Sequence, residues 1–280
     1  MKWLIAILAL ALPSSAIAAL LSETWEQNNT LEWRCDYVAG SSVISGTQVH
    51  GGSLAFRMPS DYGAVNPGNY VHGFGNHPSC NVGGTMVTDV TLEEWIYLDT
   101  GYVLPTDGMK IWIVNSFEDW GSNYSTAEGQ GKPHSWAPYY FFVNLNSSLQ
   151  PRGVNTRADN LGGTNTGELW HEYAQNQGSP VAIAVTTWTK LKLRLKLNTL
   201  NQSDGIFQMW INDVLKAEYT NMNFRANLTS YGWNHLMLSN STNSLVTRNQ
   251  YTYRDDLVLN VTETAATGSV GISIQGGQLK

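Results

Sequence analysis

Apolar and polar residues alternate with a period of two along much of this chain, most strictly between Trp188 and Glu218. Leu191, Leu193, Leu195 and Leu197 interleave with Lys190, Lys192, Arg194, Lys196 and Asn198. That spacing predicts a half-buried β-strand. Asp204-Gly205 suits the positive φ of a tight turn. A second strand follows, with Phe207, Met209 and Ile211 on one face and Gln208, Trp210 and Asn212 on the other. The two form a hairpin with one apolar face and one basic, aromatic face.

The same pattern recurs along the chain. Residues 50–60 read as a strand carrying Leu54, Phe56 and Met58, closed by Pro59. In 86–102, Leu92, Glu94, Ile96 and Leu98 share one face, with Glu93, Trp95, Tyr97 and Asp99 opposite. In 109–116, Met109, Ile111 and Ile113 stand opposite Lys110, Trp112 and Val114. Strands are also expected at 139–148, with Phe142, Asn144 and Asn146 on one face, and at 231–240, 251–260 and 268–275. Residues 22–40 form an entry segment, a short helix or an edge strand. Three polar stretches, 61–84, 117–138 and 150–180, read as long loops, which in compact domains usually carry function or are disordered. Helix signals are nearly absent. Many short alternating strands with Gly- and Asn-rich connections predict an all-β fold, a sandwich or jelly roll. One domain over 19–280 is expected, and a second β domain is the alternative.

The first 18 residues add an address. Lys2, the apolar run Leu4–Leu12 and the small-residue exit Ala16-Ile17-Ala18 read as a secretory signal peptide. The run is too short for a bilayer, which needs roughly 20 residues. A secreted protein, extracellular or periplasmic and with no membrane segment after cleavage, is expected. Cys35 and Cys80 are then expected as a disulfide, with two free thiols as the alternative. The net charge of −6 argues against a nucleic-acid partner. Eleven tryptophans in a chain only 14% charged suit either a β core or a sugar-binding surface. On such a surface, rings stack on pyranose faces and amides bond hydroxyls.

Three segments together resemble one known group. They are the approach to GMKIWIVNS (108–116), the run from Trp188 through KLKLRLKLN to DGIFQMWINDVL, and YTYRDDLVLN (251–260). The resemblance is to the concanavalin A-like jelly rolls, two antiparallel sheets packed as a sandwich. Within them it is to secreted polysaccharide lyases of the glucuronan, alginate and heparin type. It covers roughly residues 50–262. The Arg/Glu-rich and Gln-Ile-His strands of the best-known alginate lyases are absent as written. Residues 51–59 and 109–116 fall where they would lie and offer Arg57, Lys110 and Trp112.

The resemblance implies β-elimination across a uronic acid, in an anionic polysaccharide. That chemistry needs a carboxylate-neutralising group, a base and an acid. The catalytic candidates are His235, Tyr251, Tyr253, His72 and His171. Lys110, Trp112, Trp120, Trp136, Trp233 and Arg248 are the candidates for holding substrate. The basic row Lys190–Lys196 is either a floor for a polyanion or a solubilising outer face. No cofactor is required. A structural calcium, which many jelly rolls carry, could sit at Asp255-Asp256, though a capped turn or a solvated pair is the plainer reading. A glycosidase needs two carboxylates facing one site, and adjacent Glu93-Glu94 point to opposite faces of a strand. A carbohydrate-binding module or lectin, and a structural surface protein, are the other classes.

Overall fold

A computed structural model describes residues 18–25, 37–40, 42–60, 68–75, 86–116, 139–158, 168–225 and 232–263. Among them every regular element is a β-strand. In order these are β1 (Ala18–Glu23), β2 (Tyr37–Gly40), β3 (Val43–Ser45), β4 (Ala55–Ser60), β5 (Gly68–Gly73), β6 (Val87–Leu98), β7 (Met109–Ser116) and β8 (Tyr139–Leu145). There follow β9 (Pro151–Ala158), β10 (Glu168–Tyr173), β11 (Thr189–Lys196), β12 (Gly205–Ile211), β13 (Val214–Met222), β14 (His235–Ser241) and β15 (Gln250–Glu263). They form two antiparallel sheets. One has eight strands in the order β13-β12-β11-β6-β15-β4-β3, with β1 also paired to β15. The other has seven, in the order β10-β9-β8-β7-β14-β5-β2. The fold is a β-sandwich, as the alternation predicts.

The hairpin follows its pattern residue by residue. Leu191, Leu193 and Leu195 sit opposite Ile211, Met209 and Phe207, all buried in the core. Lys192 and Arg194 face outward opposite Trp210 and Gln208. The inner faces of both sheets share one core, in which Phe56, Leu92, Ile96, Leu193 and Phe207 meet Trp112, Val114, Phe141, Leu236 and Leu238.

Several expectations are corrected. The stretch 150–180 is not a loop: Pro151–Ala158 and Glu168–Tyr173 pair as β9 and β10. The stretch 61–84 contains β5, and Pro59 lies inside β4 rather than ending it. A further strand, β13, follows the Asn212-Asp213 turn, where both residues adopt positive φ. The face assignment in β7 also changes. A register shift between Lys110 and Trp112 inserts a residue, as a β-bulge does. Beyond it Trp112 and Val114 turn into the core, and Ile113 and Asn115 turn out. The last predicted strand, 268–275, lies outside the described residues.

One charged pair is sealed in this core. Glu94 of β6 and Arg254 of β15 are both fully buried. Glu94 accepts hydrogen bonds from the Arg254 guanidinium and the Trp112 indole. Arg254 also donates to the carbonyls of Ile111 (3.3 Å) and Ser239 (3.0 Å) in the facing sheet. Burial pushes the Glu94 carboxyl above its ordinary range, while Arg254 and Trp112 oppose that shift.

Candidate functional site

The outer face of the seven-stranded sheet gathers polar side chains from strands far apart in sequence. Directly paired residues on antiparallel strands share a face. His235 of β14 pairs with Asn115 of β7, and Asn115 pairs with Tyr140 of β8. Asn115 Nδ2 lies 3.3 Å from His235 Nδ1. His235 and Tyr140 thus flank Asn115 across two strand spacings, about 10 Å at the backbone. His235 is 0% exposed and Asn115 2%.

The Asn115 amide has one oriented contact and one spare atom. Its Oδ1 is buried and takes no hydrogen bond. A half-turn of the amide scarcely moves the heavy atoms. It would let Oδ1 accept from His235 Nδ1–H, present Nδ2 to the face, and leave the Nε2 lone pair of His235 as a base.

Further along the same strands the face opens into a depression of about 230 Å³. Asp107, Lys110, Phe142, Asn144, Arg152 and Glu172 are among its lining residues. Lys110 and Asn144 are register partners, as are Asn144 and Arg152. The Lys110 ammonium sits 5.3 Å from the centre of the Phe142 ring, and Phe142 stacks with Tyr140. Arg152 is paired with Glu172 at 2.6 Å.

The structure brings His235 and Lys110 onto this face and places the other sequence candidates elsewhere. Trp112 and Trp233 pack into the hydrophobic core, away from the outer face that carries His235. Tyr251 and Tyr253 stand on the outer face of the eight-stranded sheet. There Arg57 lies 4.7 Å over the Tyr251 ring and Tyr253 packs edge-on to Tyr97. The whole sandwich separates them from His235. Burial raises the Tyr253 phenol above its ordinary range. His171 is exposed on the edge strand β10, in register with Asn155. Arg248 donates to the Gly101 carbonyl at 3.0 Å in a connecting turn. His72 is the register partner of Leu236 in β5, and its side chain lies outside the described set. Trp120, Trp136, Cys35 and Cys80 also lie outside the described residues.

The basic row is on the outer face of the eight-stranded sheet, and two of its four cations are paired. Lys190 meets Glu93 (2.9 Å) and Asp213 (3.0 Å), and Arg194 meets Asp89 (2.7 Å). These partners raise the pKa of both cations. At the suggested calcium site three of the four carboxylate oxygens are engaged by protein donors. Asp255 accepts from the backbone N–H groups of His50, Gly51 and Asp256, and Asp256 pairs with His50 Nδ1 at 2.8 Å. Among the described residues no group of three or more metal-binding side chains occurs.

The sequence matches no family profile and no curated protein. Solved structures do share its fold. An endo-β-1,4-glucuronan lyase from the fungus Trichoderma reesei aligns with a TM-score of 0.60 at 12% identity, over 86% of this chain and 95% of that one. An alginate lyase from Chlorella virus aligns with a TM-score of 0.60 at 14% identity, over 83% and 93%. A PL-14 alginate lyase from Aplysia kurodai aligns with a TM-score of 0.59 at 13% identity, over 85% and 97%.

Proposed function

We propose that this chain, which has the jelly-roll fold of those polysaccharide lyases, cleaves a uronic-acid-containing polysaccharide by β-elimination. The observation that carries the reading is the contact between His235 and Asn115 on an outer sheet face, in register with Tyr140. The Asn115 amide bonds the uronate carboxylate and makes the proton on C5 more acidic. His235 Nε2 removes that proton. The electron pair left behind forms the C4–C5 double bond as the C4–O bond breaks. Tyr140 gives its phenolic proton to the departing oxygen. Once the product has left, water carries the proton from His235 back to Tyr140. Closure of the pair from solvent keeps water from competing in these transfers. The N-terminal segment supports an exported location.

That same closure favours a second reading, a non-catalytic carbohydrate-binding protein using the open part of the face. An ultraviolet assay for unsaturated uronide separates the two, run on the mature protein with a panel of uronate polymers. Under the lyase reading absorbance rises with at least one polymer. His235→Ala and Tyr140→Phe then each lower kcat by about 10²- to 10⁴-fold. Cleavage that survives His235→Ala unchanged refutes the assignment. No cleavage by the intact protein, together with glycan retention on an affinity column, selects the binding reading.

A further inference from the structure

Resting on the lyase reading, we infer that the depression beside the reacting pair is a subsite for a neutral, hydroxyl-rich sugar. The substrate is then a heteropolysaccharide in which uncharged units accompany the cleaved uronate. Three buried polar atoms at this depression make no hydrogen bond: Arg152 Nε, Asn144 Oδ1 and Asp107 Oδ1. Asn144 is only 7% exposed, and its amide nitrogen donates one N–H to the Asp107 carbonyl at 3.2 Å. A buried acceptor left open costs free energy unless a ligand or water fills it.

The set is one donor and two acceptors around a small space. A vicinal diol matches it, since each hydroxyl both donates and accepts. Phe142 and Val154 add an apolar wall against which the C–H face of a pyranose packs.

Charge argues against a uronate here. The charged side chains at the depression are Lys110, Arg152, Asp107 and Glu172, two of each sign. Arg152 is already matched by Glu172. An arriving carboxylate would meet the Asp107 carboxylate and find one cation engaged. Among the described side chains of this face Lys110 and Arg152 are the only cations, so a polymer charged at every unit finds no continuous basic track. Lys110 and Asn115 are five residues apart on one strand, about 15 Å. The subsite therefore lies a few sugar rings from the point of cleavage.

The test compares two polymers and one neutral probe. The polymers are a homopolymer of glucuronate and a heteropolymer whose repeat joins glucuronate to neutral hexoses. The probe is a β-1,4-linked glucose hexamer, followed by titration calorimetry. The variants are Asp107→Asn, at a partly exposed turn, and Phe142→Ala, with thermal melting to confirm folding. The expected result is a lower KM for the heteropolymer, a preference that collapses about tenfold in either variant, and hexamer binding that weakens in parallel. If no polymer is cleaved but the hexamer binds and Asp107→Asn weakens it, the subsite stands and the lyase reading falls. If the homopolymer is cleaved with an equal or lower KM and both variants leave the ratio unchanged, the subsite is refuted and the lyase reading stands. If there is neither cleavage nor hexamer binding, both are refuted.

Discussion

Replacing Arg254 with methionine removes the cation that sits against Glu94 between the two sheets. Both groups are fully buried, and Arg254 bonds carbonyls of β7 and β14 as well as the carboxylate. The variant leaves Glu94 with only the Trp112 indole, a buried carboxylate facing an apolar core. Breaking such a pair from one side costs about 3–5 kcal/mol, against about 5–15 kcal/mol for a whole domain. With a urea m-value of about 2–3 kcal/mol/M, the midpoint falls by about 1–2 M. Urea unfolding followed by tryptophan fluorescence measures this. The companion double variant, Arg254→Met with Glu94→Leu, removes both charges and keeps most of the volume. It is expected to recover most of the loss, because the penalty comes from the orphaned charge and not from missing packing. A double variant as damaged as the sum of the two singles refutes the reasoning. The loss would then belong to packing and to the bonds made by Arg254 to Ile111 and Ser239.

Three further outcomes follow from other sites. Gly153→Ala puts a methyl group 2.5 Å from Phe141 Cζ and 2.7 Å from Phe207 Cε1; overpacking of this kind costs about 1–3 kcal/mol, read as a lowered melting temperature. The Asp204 carboxyl is held below its ordinary value of 3.8, first by the Thr199 hydroxyl and then by its backbone N–H. A depressed acid stabilises the fold above its unfolded pKa and loses that effect as pH falls through the folded value. The stability gap between wild type and Asp204→Asn should therefore shrink on acidification below about pH 4, and a gap that widens there contradicts the assignment. Cys35 and Cys80 are proposed as a disulfide of the exported protein, so mass spectrometry of alkylated samples should find both thiols blocked until a reductant is added.

Strict alternation made the strands legible, and the Leu191–Leu197 run needed nothing beyond itself. It failed where the backbone departs from a plain pleat. One inserted residue after Lys110 reverses the faces of β7. Trp112, expected to meet substrate, fills the core, and Asn115 appears where no candidate was expected. His235 could be singled out as a histidine on a strand. Its partners could not, because Asn115 and Tyr140 become neighbours only through a sheet order that sets β14 beside β7. The alternation Tyr140, Phe142, Asn144 marks one half-polar face of β8 and was the available signal. Arg152 and Glu172 were hidden because polar stretches with little alternation read as loops, yet they pair as β9 and β10. The aromatic and polar residues at 251–255 carried the opposite error. Tyrosines next to a recognisable strand suggested chemistry, but they face outward from the other sheet.

The place of β15 also sets a timetable. The last described strand lies between β6 and β4 and pairs with β1 as well, so the middle of the larger sheet is supplied by the strand that comes after all the other described ones. Until residues 250–263 are synthesised, β6 and β4 have no common neighbour and Glu94 has no countercharge. Contacts of such long sequence separation form slowly. The larger sheet thus stays split into separate pieces until β15 is in place. If the chain is exported, as proposed, the same delay would leave the larger sheet open while the polypeptide crosses the membrane.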